Sequence, residues 1–222
     1  SDVGTAYLYY GGPVPAASPG LTLLGEAADD DFGWSVAGAG DVNGDGYDDW
    51  IVGAIYNDAG GADAGRAYLY LGGATPNSGV DLTLTGAAVG DQFGASVGTA
   101  GDVNGDGYDD WIVGAPRNDG NGAESGRAYV FFGGASPNAT ADLFLTGEAA
   151  EDFLGWSVGT AGDVNGDGYD DVVVGAALND GWAGVNSGAA YVLYGGASPD
   201  AVADLTLHGR VGADDFGYSV GT

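Results

Sequence analysis

The sequence predicts an all-β fold: four-stranded antiparallel blades of a β-propeller-type repeat array, with about 3.5 units and a broken blade at each end. Three observations predict it. The nine residues D-V-N-G-D-G-Y-D-D occur three times, starting at residues 41, 102 and 163, so the repeat period is 61 residues. Short apolar or alternating runs recur with this period between glycine-rich turns, as expected for strands. No segment shows a convincing helical period.

Each unit has room for four short strands. The first follows a Phe-Gly or similar pair, and the second leaves the nine-residue segment as an apolar run, which is typical of a strand covered on both faces. The third is aromatic and precedes Gly-Gly, and the fourth alternates like an outer strand with one wet face. First strands are predicted at 33–36, 94–97, 155–158 and 217–220, second strands at 50–54, 111–115 and 172–176, third strands at 7–10, 68–71, 129–132 and 191–194, and fourth strands at 21–23, 82–84, 143–145 and 205–207.

These strands divide the chain into a partial repeat at 1–31, whole repeats at 32–92, 93–153 and 154–215, and a lone first strand at 216–222. The resulting fifteen strands cannot close neatly into a ring. Three explanations remain open: a piece of a longer array, blades completed by strands of a neighbouring copy, or an engineered or incomplete ring. Unpaired strand edges of this kind invite another chain to add on.

The repeated nine residues predict three Ca²⁺ sites. Oxygen side chains at positions 1, 3, 5 and 9, with the backbone carbonyl of position 7, suit a hard cation that takes six to eight oxygens, and the glycines at positions 4 and 6 allow the chain to curl. An EF-hand would need Glu at position 12 and flanking helices, whereas valine and strand-like flanks stand here. The alternative is a metal-free turn rich in Asp, Asn and Gly. The predicted ligands are Asp41, Asn43, Asp45, Tyr47 and Asp49 in loop 1, Asp102, Asn104, Asp106, Tyr108 and Asp110 in loop 2, and Asp163, Asn165, Asp167, Tyr169 and Asp171 in loop 3. The side chains at position 8 are expected to point toward solvent: Asp48, Asp109 and Asp170.

The charge balance limits the partners. With 32 acidic residues, 4 basic ones and a net charge of −28, the chain would be repelled by nucleic acid and by anionic membrane surfaces. Cysteine is absent, so no disulfide framework is possible, and no apolar run approaches the length needed for membrane insertion. Weak calcium sites of this kind fill outside cells, which predicts a secreted, extracellular or cell-surface location.

An enzyme is not expected. The single histidine, His208, lies on a predicted outer strand and is interpreted as a solvated surface residue. The repeated serines have no repeated base nearby, and the carboxylates that can be placed already have a metal role. Arg66 and Arg127 share one register and are expected to pair with local acids.

Several motifs carry a family resemblance. A Phe-Gly pair occurs at Phe32-Gly33, Phe93-Gly94 and Phe216-Gly217. A triplet that reads Gly-Ala-Pro in full only in its second copy follows each nine-residue loop: Gly53-Ala54-Ile55, Gly114-Ala115-Pro116 and Gly175-Ala176-Ala177. In these features the chain resembles FG-GAP repeats, the blades of the integrin α-subunit amino-terminal β-propeller. The resemblance implies four-stranded blades, calcium in the loop between the first and second strands, and binding on a propeller face. Leu154 occupies the position of the phenylalanine in the third repeat, so the local packing is expected to differ there while the fold is kept.

Three functions remain open on the sequence. The first is a calcium-stabilised module for adhesion or protein–protein assembly, with a protein partner. The second is a self-assembling structural protein of the fibre or sheath type, with further copies of itself as partner. The third is a carbohydrate-binding propeller, in which Trp34, Trp156 and Trp182 would stack on a glycan. Trp34 and Trp156 share a register with Ala95 and Tyr218, which favours a repeated packing or channel-lining role for them.

Overall fold

The computed structural model describes residues 3–13, 17–181 and 183–221. Within these residues the chain forms fourteen β-strands and no helix, which confirms the all-β fold class. The strands are β1 (Thr5–Leu8), β2 (Leu21–Leu24), β3 (Phe32–Gly40), β4 (Asp49–Ala54), β5 (Arg66–Tyr70), β6 (Leu82–Thr85), β7 (Ser96–Gly101), β8 (Asp110–Ala115), β9 (Arg127–Phe131), β10 (Leu143–Thr146), β11 (Leu154–Gly162), β12 (Asp171–Ala176), β13 (Ala189–Leu193) and β14 (Leu205–His208).

The strands form three four-stranded antiparallel sheets and one two-stranded sheet. The sheet orders are β3-β4-β5-β6, β7-β8-β9-β10, β11-β12-β13-β14 and β1-β2. The first strands of neighbouring sheets pack together, β3 on β7 and β7 on β11. The sheets therefore stand side by side like propeller blades, with their first strands on the inner side.

The hydrophobic core lies between neighbouring sheets. Ile51 and Leu69 of the first full sheet form one buried cluster with Trp111 and Phe131 of the second. Because each second strand is sandwiched in this way, its run is apolar throughout, and all six residues of β8 are buried. The rings of Trp111 and Phe131 stack at 5.5 Å between centroids. Burial of these large side chains is the main term that holds one blade to the next.

Hydrogen bonds also join the blades. Ser35 Oγ donates to the carbonyl oxygen of Gly94 at 2.7 Å, and the equivalent serines of the next two sheets make the same bond: Ser96 to Gly155 at 2.8 Å and Ser157 to Gly217 at 2.8 Å. The repeated serines are thus structural links between sheets. Leu154, in the phenylalanine register, is fully buried and keeps the parallel bridge to Gly126 that Phe93 makes to Gly65.

Several strand boundaries differ from the sequence expectation. The third strands begin two residues earlier than predicted, as at Arg66 in β5, because the residues before the aromatic run pair with both neighbouring strands. The prediction of a first strand at 217–220 is wrong for this structure: Gly217 lies in a turn, Tyr218 and Ser219 form bends, and none of the four residues is in a strand. Phe216 keeps only a single parallel bridge, to Gly188.

Among the described residues, no helix has the length and apolar character to span a bilayer.

Candidate metal centres

The three nine-residue loops occupy equivalent places in the three full sheets. Loop 1 (Asp41–Asp49) joins β3 to β4, loop 2 (Asp102–Asp110) joins β7 to β8, and loop 3 (Asp163–Asp171) joins β11 to β12. Each loop closes a hairpin whose two strands are antiparallel neighbours. Because β3, β7 and β11 lie side by side, the three loops lie along one edge of the molecule.

Inside each loop the polar side chains turn back on the loop's own backbone. Asp41 accepts hydrogen bonds from the N–H of Asp45 at 3.0 Å and of Gly46 at 2.8 Å. Asn43 Oδ1 accepts from Asp45 N–H at 2.8 Å, and Asp45 Oδ1 accepts from Tyr47 N–H at 3.0 Å. Loops 2 and 3 repeat this pattern. Gly44 and Gly46 have φ of 74° and 87°, so the curl needs residues that tolerate left-handed backbone.

The carboxylate at position 9 is held differently, because it is buried at the start of the second strand. Asp110 accepts N–H bonds from Val103 at 2.9 Å and from Gly133 at 2.8 Å. Burial, assisted by the nearby charges of Asp106 and Asp102, raises the pKa of Asp110 to about 7, although the two hydrogen bonds act to lower it. Burial likewise raises the pKa of Asp49 to about 6. These carboxyl groups lie where negative charge is disfavoured unless a positive charge accompanies it.

The donor chemistry of the loops fits a hard divalent cation. Each loop offers two aspartates and an asparagine at positions 1, 3 and 5, a backbone carbonyl at position 7 and the buried aspartate at position 9. The two ion pairs among the described residues, Arg66–Glu26 and Arg117–Glu124, leave the loop carboxylates without a basic partner. As they stand, no three carboxylates of the described residues form one group ready to hold a metal ion. The loop carboxylates at positions 1, 5 and 9 instead accept hydrogen bonds from backbone N–H groups.

The expectation for position 8 is correct for Asp48 and wrong for its two counterparts. The Asp48 side chain is exposed. Asp109 Oδ2 instead accepts the N–H of Asp41 at 2.7 Å, and Asp170 Oδ2 accepts the N–H of Asp102 at 3.0 Å. The physical reason is the preceding loop: its position 1 N–H is within reach of Asp109 and Asp170, whereas no described loop precedes Asp48.

Loops 1 and 2 are also each covered by the sheet that follows them. Val42 O accepts the N–H of Gly134 at 2.8 Å, and Val103 O accepts the N–H of Gly196 at 2.8 Å. The position 7 ring of the following loop lies against the position 4 glycine, so a Cβ added at Gly44 would be 2.6 Å from Cε1 of Tyr108. Loops 1 and 2 are therefore each held from one side by their successor.

Other candidate residues are not part of these centres. Trp34 and Tyr218 are 58% and 60% exposed, so a core position is wrong for them, while the channel-lining alternative stays a prediction. Trp156 lies beside Tyr218 with ring centroids 5.7 Å apart. Trp182 lies outside the described residues. His208 is half-buried on β14 rather than fully solvated.

The two arginines of the shared register behave differently. Arg66 pairs with Glu26 at 2.7 Å, as expected. Both arginines donate Nε to a threonine hydroxyl of the adjacent strand, Arg66 to Thr85 at 3.1 Å and Arg127 to Thr146 at 3.0 Å. Arg127 has no ion pair among the described residues, so the expected pairing with an acid is wrong for it, and its guanidinium lies 4.8 Å from the centre of the Phe144 ring.

Sequence reasoning missed a buried polar pair that joins distant turns. Asn57 Nδ2 donates to Asp30 Oδ2 at 2.6 Å, and Asn118 Nδ2 donates to Asp91 Oδ2 at 2.9 Å. The signal was present, since both residue types recur with the 61-residue period. Their pairing across 27 residues could not be read from that period alone.

Comparison with known proteins agrees with this architecture. The family model described as FG-GAP repeat matches residues 32–70, 93–131 and 154–193, together more than half of the chain. Integrin alpha-IIb of Mus musculus is 38% identical over 167 residues, which are 69% of this chain and 16% of that protein. Integrin alpha-5 of Xenopus laevis is 34% identical over 155 residues, 65% of this chain and 14% of that protein.

An enzyme is also among the relatives. Phosphatidylinositol-glycan-specific phospholipase D of Bos taurus is 33% identical over 211 residues, 85% of this chain and 24% of that protein. The chain thus spans less than a quarter of the length of each of these three relatives. Each matched segment contains the first three strands of one four-stranded sheet together with its nine-residue loop, and the chain belongs to the FG-GAP repeat family.

Proposed function

We propose that this chain is a non-catalytic, extracellular repeat module that calcium stabilises and that serves adhesion or protein–protein assembly. The observation that carries the proposal is the row of three identical oxygen-rich loops along one edge of three packed blades. The similarity to integrin alpha subunits supports the adhesion role and the extracellular location. In this proposal a protein partner binds the array of blades, and no single residue is named as its contact.

The residues that would hold calcium are those at positions 1, 3, 5, 7 and 9 of each loop. In loop 2 these are Asp102, Asn104 and Asp106 with the carbonyl of Tyr108 and the buried carboxylate of Asp110. Calcium supplies the positive charge that lets three carboxylates lie close together without repulsion. Asp110 links that charge to the fold, because its two oxygens also accept N–H bonds from Val103 and Gly133.

The stabilisation can be large. For a site with a Kd of about 0.1 mM in about 2 mM calcium, mass action adds about 1.8 kcal/mol of unfolding free energy. Three such sites add about 5 kcal/mol, which is comparable with the whole stability of a small domain, about 5–15 kcal/mol. Calcium would then decide whether the repeats stay folded outside cells.

Calorimetry tests this proposal. The melting temperature of the chain is measured in 2 mM calcium and in excess chelator, and calcium binding is titrated to obtain the stoichiometry. We expect a large fall in melting temperature on chelation and three bound ions, with Asp45→Ala reducing the number to two. An unchanged melting temperature together with no binding heat would overturn the calcium role.

A second candidate function, self-assembly, is favoured by the first sheet. β1 pairs with β2 alone, whereas the third strands β5, β9 and β13 each pair on both sides. Beside β1 lies a cavity of about 600 Å³, lined by Tyr7, Tyr9, Val36 and Trp50 among others. A strand of another copy could add at this edge.

Light scattering after size exclusion, in millimolar calcium, tests the second candidate. Strand addition predicts a molar mass above 21.9 kDa that grows with concentration. It also predicts that Tyr7→Lys, on the exposed face of β1, lowers that mass, because lysine on an edge strand opposes pairing. A monomer at all concentrations would exclude this function.

A further inference from the structure

Successive loops are joined by the same contact: the position 8 residue of one loop is hydrogen-bonded to the position 1 residue of the loop before it. We propose that they form a directional ladder, in which the position 8 carboxylate of one loop positions the first calcium ligand of the preceding loop. The calcium affinity of a loop then depends on the loop that follows it. This inference rests on the proposed calcium binding.

The first step is the grip on the position 1 residue. Asp109 Oδ2 accepts the N–H of Asp41 at 2.7 Å, and the N–H of Asp109 donates to the carbonyl oxygen of Asp41 at 3.2 Å. Both sides of the Asp41 backbone are thereby fixed by one residue of the next loop. Asp170 makes the same two bonds to Asp102, at 3.0 and 3.2 Å. A carboxylate acceptor makes these bonds charge-assisted and hence strong.

The second step is what Asp41 does within its own loop. Its side chain collects the N–H groups of Asp45 and Gly46, so the conformation of the loop is organised about this residue. Fixing the Asp41 backbone therefore fixes the loop in the shape from which its oxygens can reach a cation. Such preorganisation lowers the ordering cost of binding and raises affinity.

The third step couples the sites. Asp109 lies between two proposed ligands of loop 2, the Tyr108 carbonyl and Asp110. Filling loop 2 orders the chain on both sides of Asp109, which in turn holds Asp41 of loop 1. The sites are thus linked by a coupling free energy, and calcium binding is expected to be positively cooperative.

Loop 3 differs from loops 1 and 2 because no described loop packs against it from the following repeat. No described residue covers it as Tyr108 and Gly134 cover loop 1, and Val164 is 55% exposed while Val42 and Val103 are 0% and 2% exposed. At the other end the exposed Asp48 side chain has no hydrogen-bond partner in the described part of the chain. We therefore expect loops 1 and 2 to bind calcium more tightly than loop 3.

The decisive experiment is a calcium titration of the whole chain followed by two-dimensional amide NMR. The position 6 glycines Gly46, Gly107 and Gly168 report the three loops separately. Asp109→Ala is expected to weaken calcium binding at loop 1 by about tenfold, the usual loss for a charge-assisted hydrogen bond, with a smaller shift at loop 2 and none at loop 3. Asp170→Ala, an independent second variant, should move the largest shift to loop 2.

Asp48→Ala is the matched control, because it changes the same position of an identical loop in which this side chain makes no hydrogen bond to another described loop. It should leave all three midpoints in place. Asp109→Asn separates positioning from charge, since the amide oxygen can still accept the Asp41 N–H. An affinity of loop 1 in Asp109→Asn well above that in Asp109→Ala supports positioning, and a loss as large as in Asp109→Ala overturns it.

Amide hydrogen exchange in chelator gives a readout that does not depend on calcium. The N–H of Asp41 should exchange faster in Asp109→Ala, while the N–H of Asp102 keeps its protection. Normal three-site binding in the parent chain with no selective shift in Asp109→Ala overturns the ladder alone. Absence of binding in the parent chain overturns the calcium role, and the ladder with it.

Discussion

Loops 2 and 3 have the same nine residues and lie in different surroundings. Their internal hydrogen bonds are the same: Asp102 and Asp163 each accept from the N–H groups at positions 5 and 6. Outside the loop they differ, because Val103 is 2% exposed under the third sheet and Val164 is 55% exposed. Local sequence therefore determines the curl of the loop, and the neighbouring blade determines how firmly it is held.

The largest effect is expected from adding a methyl group at the position 4 glycine. Gly44 and Gly166 have similar φ values, 74° and 80°, so Ala at either costs about 1–2 kcal/mol of backbone strain. At Gly44 the new Cβ would also lie 2.6 Å from the Tyr108 ring, whereas at Gly166 no heavy atom lies within 4 Å. We expect Gly44→Ala to lose about 3 kcal/mol of unfolding free energy because the ring must also move.

Urea unfolding at fixed calcium measures both glycine variants. The difference between Gly44→Ala and Gly166→Ala isolates the contact between loops, since the strain is common to both. Equal losses would mean that the Tyr108 ring moves aside freely and does not hold loop 1.

Valine at position 2 gives a smaller effect and tests burial directly. Val103→Ala removes two buried methyl groups and should cost about 2 kcal/mol. Val164→Ala changes the same position in loop 3 and, being exposed, should stay within about 0.5 kcal/mol of the parent chain. Thermal or urea unfolding of the two variants under one condition makes the comparison, and a similar cost at Val164 would show that loop 3 is covered in solution.

The valines also show how much could be predicted from the sequence. The period, the blades and the second strands follow from local patterns, and the structure confirms them in Asp110–Ala115 and its counterparts. The role of position 8 could not be predicted, because Asp48 and Asp109 have identical neighbours in sequence and different neighbours in space. Residues 217–220 also show that a local pattern does not suffice, because they match the first-strand pattern of the other units and form no strand in the structure.

The arrangement of polar groups was harder to predict than the strands. The pair Asn118–Asp91 spans two turns and is buried, so its existence depends on the packed sheets that bring the turns together. The ligand residues of the loops were chosen from donor type and spacing alone, and their role in calcium binding stays a prediction. What the structure adds is the separate function of position 9, whose two oxygens hold Val103 and Gly133.

The smallest effect concerns pH and compares position 9 in the first and middle loops. In chelator, burial raises the pKa of Asp49 to about 6 and that of Asp110 to about 7, from an ordinary value of 3.8. As pH rises from about 4, the unfolded chain gives up these protons first, so the unfolding free energy falls until the folded carboxyl groups also ionise. The fall should continue to about pH 7 for Asp110 and end near pH 6 for Asp49.

Asn variants remove the titrating group and should flatten this pH dependence, Asp110→Asn more than Asp49→Asn. The slope of melting temperature against pH is the informative quantity, because an amide replaces only one of the two acceptor oxygens and lowers stability at every pH. With calcium added the parent chain should show the opposite trend, since the ligands must lose their protons to bind the ion and affinity then rises with pH. A parent chain in chelator whose stability rises steadily from pH 4 to pH 7 would contradict the raised pKa values. It would mean that the backbone N–H donors, rather than burial, govern these two carboxyl groups.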